Sequence, residues 1–187
     1  MKKNTAVFLD RDGTINEEVG YLDSLGKLKI FSQTAKAIKR INESGMKAVV
    51  ITNQSGVARG LFEEAFVEQL HERIRKELQK QGAIIDGFYF CPHHPTEGQA
   101  PYLRVCTCRK PETGMLLQAA KDLNIDLSRS YMIGDMAKDM EMAARAGVKG
   151  ILVRTGYGAD VDTSAVRPVY VAEDILDAVN WIVRDFE

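Results

Sequence analysis

The carboxylates of Asp10 and Asp12 directly follow the first apolar run of the chain, Ala6–Leu9, in the segment DRDGT at positions 10–14. If that run is a strand ending at the active edge of a sheet, both carboxylates can face one pocket. Two carboxylates held close together repel each other, so such a site needs a proton or a cation between them. Mg²⁺ is a natural partner for carboxylate oxygens. The alternative is a solvated turn, since Asp, Gly and Thr are turn residues.

Three further polar segments supply the other groups that phosphoryl transfer requires. The segment TNQSG at positions 52–56 follows an apolar run and offers hydroxyl and amide donors for an anion. Lys110 follows a proline-rich loop, and Asp135 and Asp139 follow the apolar run at 131–133. A carboxylate can attack phosphorus while a metal ion and a lysine spread the phosphate charge. The combined set favours a phosphoryl-transfer site, although each segment alone is no more than a polar loop.

Residues 91–111 form a long loop that contains all three cysteines of the chain and two of its three histidines. The sequence is Cys91-Pro92-His93-His94, followed by Cys106-Thr107-Cys108. Three thiolates and one imidazole complete a tetrahedral zinc site, which predicts structural Zn²⁺ held by the three cysteines and His93. Spacing alone leaves His94 open as the imidazole, and reduced buried cysteines without metal are the alternative. The zinc would hold the adjacent lysine, Lys110, in place.

Short apolar runs alternate with amphipathic segments along the chain, which predicts an α/β fold with a Rossmann-like open parallel sheet and helices on both faces. Strands are expected at 6–9, 48–51, 84–91, 131–133, 150–153 and 169–171, and helices at 33–44 (capped by Ser32), 63–81, 114–123, 138–146 and 172–186. Ligands of such sheets bind at the carboxyl ends of the strands. His71, among charged residues of the second helix, is expected on its solvated face.

The length of 187 residues suits one domain, which we expect to span 1–187 with the zinc-binding loop as an insertion at about 91–111. The net charge of −1 excludes a general basic field for nucleic acid or an anionic membrane. Three cysteines are too few for a disulfide scaffold, and the apolar runs are too short for a secretory signal or a membrane span. We therefore expect a cytoplasmic monomer that acts on a small molecule.

The four ordered segments resemble the motifs of the haloacid-dehalogenase-like phosphatases, across about residues 6–155. The resemblance implies Mg²⁺-dependent hydrolysis through an aspartyl-phosphate intermediate. Asp10 would be the nucleophile, and Asp12 would protonate the leaving oxygen and then activate water. Thr52 and Lys110 would hold the transferred phosphoryl group. Asp10, the backbone carbonyl of Asp12 and Asp135 would bind Mg²⁺, with Asp139 as a supporting carboxylate.

The zinc loop narrows the resemblance to the branch of histidinol phosphatases and heptose-bisphosphate phosphatases, and the segment TNQSGVARG at 52–60 together with Gly20-Tyr21 favours the latter. The implied reaction is removal of the 7-phosphate of D-glycero-D-manno-heptose 1,7-bisphosphate, in the biosynthesis of nucleotide-activated heptoses, by an enzyme without a large cap domain. The implied substrate-contacting residues are Glu18, Val19, Gly20, Tyr21, Asn53, Gln54, Ser55, Arg59 and Arg109. Arg59 and Arg109 are the candidate cations for a second phosphate.

Two other functions stay open at this point. A histidinol-phosphate phosphatase or a broader sugar-phosphate phosphatase would use the same catalytic residues. A zinc-stapled binding module without activity would have lost the nucleophile or the lysine, and both are present. One departure from the family concerns Met136, which stands where a basic residue often follows the fourth-motif aspartate. Its presence removes one contact to phosphate or sugar and leaves the preferred anomer undetermined.

Overall fold

The computed structural model describes residues 3–186 of the chain. Its six strands are β1 (Ala6–Leu9), β2 (Lys47–Asn53), β3 (Gly87–Cys91), β4 (Tyr131–Gly134), β5 (Lys149–Val153) and β6 (Tyr170–Ala172). Its helices are α1 (Thr34–Glu43), α2 (Glu64–Gln79), α3 (Gly114–Asp122), α4 (Ala137–Ala146), α5 (Thr163–Val166) and α6 (Ile175–Phe186). Short 3₁₀ turns lie at Leu25–Lys27, Leu127–Arg129 and Gly158–Asp160.

The strands form one parallel sheet in the order β3-β2-β1-β4-β5-β6. Strand order reverses beside β1, so β1 and its neighbours β2 and β4 leave a crevice at their carboxyl ends, where ligands of such folds bind. The predicted Rossmann-like parallel sheet is confirmed. No helix in the described part of the chain is both long and apolar enough to cross a membrane.

One hydrophobic layer covers each face of the sheet, because successive side chains of strands such as β1 point to opposite faces. Val7 and Leu9 pack with apolar residues of α1, α2 and α6, whereas Ala6 and Phe8 pack with α3 and α4 on the other face. All four side chains are fully buried. Successive side chains of a strand point to opposite faces, so a continuous apolar run is what a strand buried on both faces requires.

All predicted strands and helices are observed with similar boundaries, whereas α5 has no counterpart in the sequence predictions. The third predicted strand begins at Gly87 rather than at position 84, and the last helix begins at Ile175 rather than at 172. Ser32 is not the N-cap of α1, since Gln33 holds that position and makes no side-chain capping bond. The predicted end of α4 is correct: Gly147 caps it with a φ of 69°, which glycine adopts without strain.

Candidate functional site

The carboxyl ends of β1, β2 and β4 surround a cavity of about 250 Å³. Fourteen of its seventeen lining residues are polar, charged or glycine, and the full lining is Asp10, Asp12, Glu18, Gly20, Tyr21, Leu22, Thr52, Asn53, Gln54, Ser55, Gly56, Phe62, Arg109, Lys110, Met136, Lys138 and Tyr157. The structure therefore brings most of the residues singled out in the sequence to one place. Of the residues predicted for this site, Val19, Arg59, Asp135 and Asp139 are absent from the lining, although Asp135 and Asp139 lie beside Asp10.

Asp10 lies at the floor of the cavity, and Lys110 contacts it. The Lys110 Nζ is 2.8 Å from Asp10 Oδ2 and 2.6 Å from Asp139 Oδ1, and it donates to the Ile51 carbonyl at 3.2 Å. The backbone N–H of Arg11 donates to the other oxygen of Asp10 at 2.7 Å. A lysine this deeply buried is tolerated because two carboxylates and a carbonyl oxygen surround its ammonium group.

Electrostatics in this cluster favour retention of protons on the carboxylates. Burial, with Asp139 and Asp135 nearby, raises the pKa of Asp10 to about 7, against the attraction of Lys110. Burial likewise raises the pKa of Asp135 to about 6, although the Tyr157 N–H donates to it. Burial alone would lower the pKa of Lys110, but Asp10 and Asp139 raise it. Crowded buried carboxylates next to a single lysine form a site that gains by binding another cation.

The donor set fits magnesium. Oxygens of Asp10, Asp135 and Asp139 all lie within 4.8 Å of one another, and Asp135 Oδ1 is buried without a hydrogen-bond partner in the described structure. Gly13 (φ 79°) closes this pocket, because a Cβ there would stand 2.1 Å from Asp135 Oδ2. Asp139 is already committed elsewhere, to Lys110 and, through Oδ2, to the Met136 N–H at 3.1 Å. Carboxylate oxygens are hard ligands, which Mg²⁺ prefers.

Asp12 is held in a different environment from Asp10. Arg11 contacts both of its oxygens, at 2.7 and 3.0 Å, while Asn16 and Gln54 donate to Oδ1 and Oδ2 at 2.9 and 3.0 Å. Burial alone would raise the pKa of Asp12, but the Arg11 charge and these hydrogen bonds bring it below its ordinary value. The two carboxylates therefore have pKa values shifted in opposite directions, because Asp12 is paired with Arg11 whereas Asp10 is buried beside other carboxylates.

The residues at the carboxyl end of β2 and just after it contact the site in two ways. Thr52 Oγ1 is buried and accepts from Gln54 Nε2 at 2.9 Å. The Asn53 side chain pairs with the backbone of Lys110, accepting from its N–H at 3.0 Å and donating to its carbonyl at 3.2 Å. Asn53 and Gln54 were predicted from the sequence to contact substrate. In the structure Asn53 hydrogen-bonds to the backbone of Lys110, and Gln54 hydrogen-bonds to the side chain of Asp12. Ser55 lines the cavity.

The first loop reaches the cavity through Glu18, Gly20 and Tyr21. Glu18 Oε1 accepts from the Gly20 N–H at 2.5 Å, and burial together with the nearby Asp12 raises the pKa of Glu18. Val19, by contrast, is 40% exposed and lies outside the lining.

The two arginines considered as phosphate ligands differ in position. Arg109 lines the cavity and donates from Nη1 to the His93 carbonyl at 3.0 Å. Arg59 lies outside it, where it pairs with Glu97 and its guanidinium stands 5.9 Å from the centre of the Tyr21 ring.

Four residues that line the cavity were not predicted from the sequence to belong to the site: Leu22, Phe62, Lys138 and Tyr157. Lys138 follows Asp135 by three positions, in the first turn of α4, so the spacing within the fourth motif could have identified it. Met136, which stands where the family often has a basic residue, also lines the cavity. Lys138 therefore supplies a positive charge to the cavity that Met136 does not. Tyr157 had no sequence signal beyond two neighbouring glycines.

The prediction for His71 is wrong. His71 is 5% exposed, stacks on Phe88 with ring centroids 4.7 Å apart, and places Nε2 at 3.3 Å from Arg11 Nη1. The charged neighbours in the sequence lie on the outer face of α2, whereas His71 shares the inner face with Leu70 and Ile74. The error arose because local charge density was weighed above the helical period.

The cysteine loop forms a compact cluster. Ligand atoms of Cys91, His93, Cys106 and Cys108 lie within 4.8 Å of one another, with contacts of 3.2 to 3.6 Å between sulfurs and 3.3 Å between His93 Nδ1 and Cys108. These separations are close to the edges of a tetrahedron whose centre is about 2.3 Å from each sulfur, the ordinary Zn–S distance. His94 turns away, and its Nδ1 accepts from the Glu97 N–H at 2.9 Å.

Comparison with known proteins gives consistent matches over nearly the whole chain. A family model described as HAD-hydrolase-like matches residues 107–178. A D-glycero-D-manno-heptose-1,7-bisphosphate 7-phosphatase of Thermosynechococcus vestitus is 45% identical over 185 residues, which is 95% of this chain and 94% of that protein. A D-glycero-beta-D-manno-heptose-1,7-bisphosphate 7-phosphatase of Escherichia coli K12 is 45% identical over 157 residues, 83% of this chain and 82% of that protein.

A solved structure agrees with these relatives. The crystal structure of D,D-heptose 1,7-bisphosphate phosphatase from B. bronchiseptica, complexed with magnesium and phosphate, superposes with a TM-score of 0.85 at 31% identity. The superposition covers 97% of this chain and 99% of that chain. The resemblance inferred from the four motifs is thereby confirmed, and the chain belongs to the D-glycero-D-manno-heptose-1,7-bisphosphate 7-phosphatase family of haloacid-dehalogenase-like phosphatases.

Proposed function

We propose that this protein hydrolyses the 7-phosphate of D-glycero-D-manno-heptose 1,7-bisphosphate, with Asp10 as nucleophile. The contact that carries the proposal is the one between Asp10 Oδ2 and Lys110 Nζ, 2.8 Å apart at the floor of the cavity. A carboxylate beside a buried ammonium group offers an attacking oxygen together with a fixed positive charge for the phosphoryl oxygens. The likeness to the heptose-bisphosphate phosphatases over the full chain supports the choice of substrate.

The residues divide the reaction between them. Asp10 attacks phosphorus as the bond to the sugar oxygen breaks, and Asp12 gives that oxygen a proton. Asp12 then takes a proton from the water that releases phosphate from Asp10. Lys110 and the Thr52 hydroxyl hold the phosphoryl oxygens. Asp10, Asp135 and the backbone carbonyl of Asp12 would hold Mg²⁺, which supplies further positive charge to the transferred group when bound.

A bisphosphate needs a second anion site, and the cavity offers two cations for it. Arg109 and Lys138 both line the cavity, and in the described structure neither forms an ion pair with Asp10 or Asp139, which are paired with Lys110. We assign the distal phosphate to these two side chains, with Arg109 able to bind two oxygens at once. Arg59 is less suitable than its sequence position indicated, because Glu97 already neutralises it.

The substrate assignment is tested by comparing kcat/KM for both anomers of heptose 1,7-bisphosphate, histidinol phosphate and fructose 1,6-bisphosphate with Mg²⁺ present. We expect one heptose anomer to exceed histidinol phosphate by about 100-fold or more, because the distal phosphate adds charge-assisted hydrogen bonds worth about 1.5–3 kcal/mol each, and also to exceed fructose 1,6-bisphosphate. Lys138→Met should reduce the rate on the bisphosphate more than on a monophosphate. A preference for histidinol phosphate would overturn the assignment.

We also propose that the cluster of three cysteines and His93 binds one structural zinc ion. All four ligands would come from the protein, which leaves no open position for substrate. The loop that contains the cluster continues directly into Arg109 and Lys110, so the metal would stabilise the position of the lysine.

Freshly purified protein should contain about one zinc per chain by elemental analysis, and Cys108→Ser should lose most of it. Because Lys110 follows the cluster, we expect the zinc-free variant to lose activity as well as thermal stability. The matched control is His94→Gln, which changes the neighbouring imidazole and should keep the zinc. Less than a tenth of an equivalent in the unmodified protein would contradict the proposal.

A further inference from the structure

A buried chain of polar contacts leads from Asp12 into the interior of the protein, away from the cavity. It begins at Arg11, whose side chain is fully buried and is not part of the cavity lining. Its Nε and Nη2 lie 3.1 and 3.0 Å from Asp12 Oδ1, and Nη2 is also 2.7 Å from Oδ2. This fork-shaped contact fixes the plane of the carboxylate as well as its position.

The far side of Arg11 rests on α2. Its Nη1 is 3.3 Å from His71 Nε2, and the His71 ring lies between Phe88 and Phe90, with centroids 4.7 and 5.8 Å away. A guanidinium group only donates hydrogen bonds, so His71 Nε2 must be the unprotonated nitrogen of a neutral ring. Burial, followed by the Arg11 charge, lowers the pKa of His71 to about 3, which agrees with that state.

The remaining contacts close the network around the carboxylate. Gln54 accepts from Arg11 Nη2 at 3.0 Å and donates to Asp12 Oδ2 at 3.0 Å, so it joins both ends of the ion pair. Asn16 donates to Oδ1 at 2.9 Å. The Asp12 side chain keeps 22% exposure, and Asp12 lines the cavity. These contacts hold the Asp12 carboxylate from the interior of the protein, while its exposed side faces the cavity in which substrate would bind.

We propose that Arg11 and His71 are positioning residues for proton transfer: His71 holds the Arg11 guanidinium, and Arg11 holds Asp12 in the orientation from which it protonates the leaving oxygen. This inference rests on the proposed function only in taking Asp12 as the general acid. It gives a role to an arginine whose burial would otherwise be costly, and to a histidine that is far from Asp12 in the sequence and does not line the cavity.

Substrates with different leaving groups distinguish a role of Arg11 and His71 in positioning Asp12 from a purely structural role. When Asp10 attacks phosphorus, the electron pair of the breaking P–O bond goes to the ester oxygen. A sugar oxygen is strongly basic and needs the proton from Asp12 as that bond breaks, whereas p-nitrophenolate departs as a stable anion without one. The value of kcat/KM reports steps up to this departure and excludes the later hydrolysis of phosphorylated Asp10. Misplacing Asp12 should therefore lower kcat/KM for a sugar phosphate alone.

The experiment measures kcat/KM for a sugar phosphate and for p-nitrophenyl phosphate with saturating Mg²⁺. His71→Phe keeps the ring and the stacking but removes the acceptor for Arg11. We expect about a tenfold loss on the sugar phosphate and less than a twofold change on p-nitrophenyl phosphate. His71→Gln, which offers an amide oxygen to Arg11, should recover the sugar-phosphate rate to within about threefold of the unmodified protein.

Three further variants make the result decisive. Arg11→Lys keeps the charge but loses the fork, and should give the same selective loss even if His71→Phe fails to fold. Ile74→Val removes buried volume on the same face of α2 and should leave the ratio of the two rates unchanged. Asp12→Asn sets the full size of the selective loss. Equal losses on both substrates in folded His71→Phe and Arg11→Lys, or none on either, would overturn the proposal.

The outcomes also distinguish this inference from the substrate assignment. If heptose bisphosphate is a poor substrate, the ratio is measured with whichever alkyl phosphate the protein hydrolyses, and the positioning role is still tested. If Asp12→Asn leaves the ratio unchanged, the acid role of Asp12 fails and the positioning role fails with it.

Discussion

Replacing Asp10 with asparagine should lower kcat by at least about 10⁴-fold while the protein still folds and keeps its zinc. Asparagine has nearly the same shape as aspartate, but its amide cannot attack phosphorus. Burial and the neighbouring carboxylates raise the pKa of Asp10 to about 7, so the ionised side chain is unfavourable where it stands. The variant should therefore be at least as stable as the unmodified protein at pH 8, by urea denaturation in magnesium-free buffer.

The matched control is Asp135→Asn, which removes one charge from the same carboxylate cluster. Asp135 would hold the metal ion without forming a bond to phosphorus, so raising the Mg²⁺ concentration should partly restore its activity. No Mg²⁺ concentration should restore Asp10→Asn. Rapid quenching of the unmodified protein should leave phosphate on the peptide that contains Asp10. Appreciable turnover by Asp10→Asn would refute the aspartyl-phosphate mechanism.

The strands could be predicted from the sequence because they are buried on both faces, and the continuous apolar run at Ala6–Leu9 shows this directly. The convergence of Asp10 and Thr52 on one cavity, with Asp135 beside Asp10, followed from the strand order, since parallel strands place their carboxyl ends at one edge. The last helix begins three residues later than predicted, at Ile175, where Asp174 caps it by accepting from the N–H groups of Leu176 and Asp177 at 2.9 Å. That capping residue was a signal in the sequence that the prediction did not use.

Contacts between distant segments could not be predicted in the same way. Nothing local to Asn53 shows that its side chain binds the backbone of Lys110, which lies in a loop ordered by the cysteine cluster. His71 was misplaced because its charged neighbours in the sequence were weighed above the helical period, and its partner Arg11 lies 60 positions earlier in the chain. The side chains that position the catalytic groups contact residues that are distant in the sequence. A single sequence contains few signals for such contacts.

Lys110→Met should destabilise the folded protein by about 3–5 kcal/mol at pH 8, because the substitution leaves buried carboxylates without their cation. The Lys110 Nζ is 2.8 Å from Asp10 and 2.6 Å from Asp139, and all three side chains are almost completely buried. Methionine fills a similar volume, so little of the loss would come from a cavity. The measurement is urea denaturation of both proteins in magnesium-free buffer.

The loss should depend on pH in a direction that the pKa shifts determine. The pKa of Asp10 is about 7 in the folded protein against an ordinary value of 3.8, so between these values the folded state binds more protons than the unfolded state. Stability therefore falls as pH rises through this range. Removing Lys110, which lowers the pKa of Asp10, raises that pKa further and extends the fall in stability to higher pH. The difference between the two proteins should thus be smaller at pH 5.5 than at pH 8.

Lys138→Met is the matched control, because it removes a positive charge from the same cavity without separating the buried ion pairs. The charge of Lys138 lowers the pKa of Asp10 less than the charge of Lys110 does. The Lys138→Met variant should therefore lose little stability, and that loss should be nearly independent of pH. If Lys110→Met were equally destabilised at pH 5.5 and pH 8, lost packing would explain the effect. A steep dependence in Lys110→Met alone would mean that the lysine stabilises the site by balancing the charge of Asp10 and Asp139, the same charge that it offers to a phosphoryl group during catalysis.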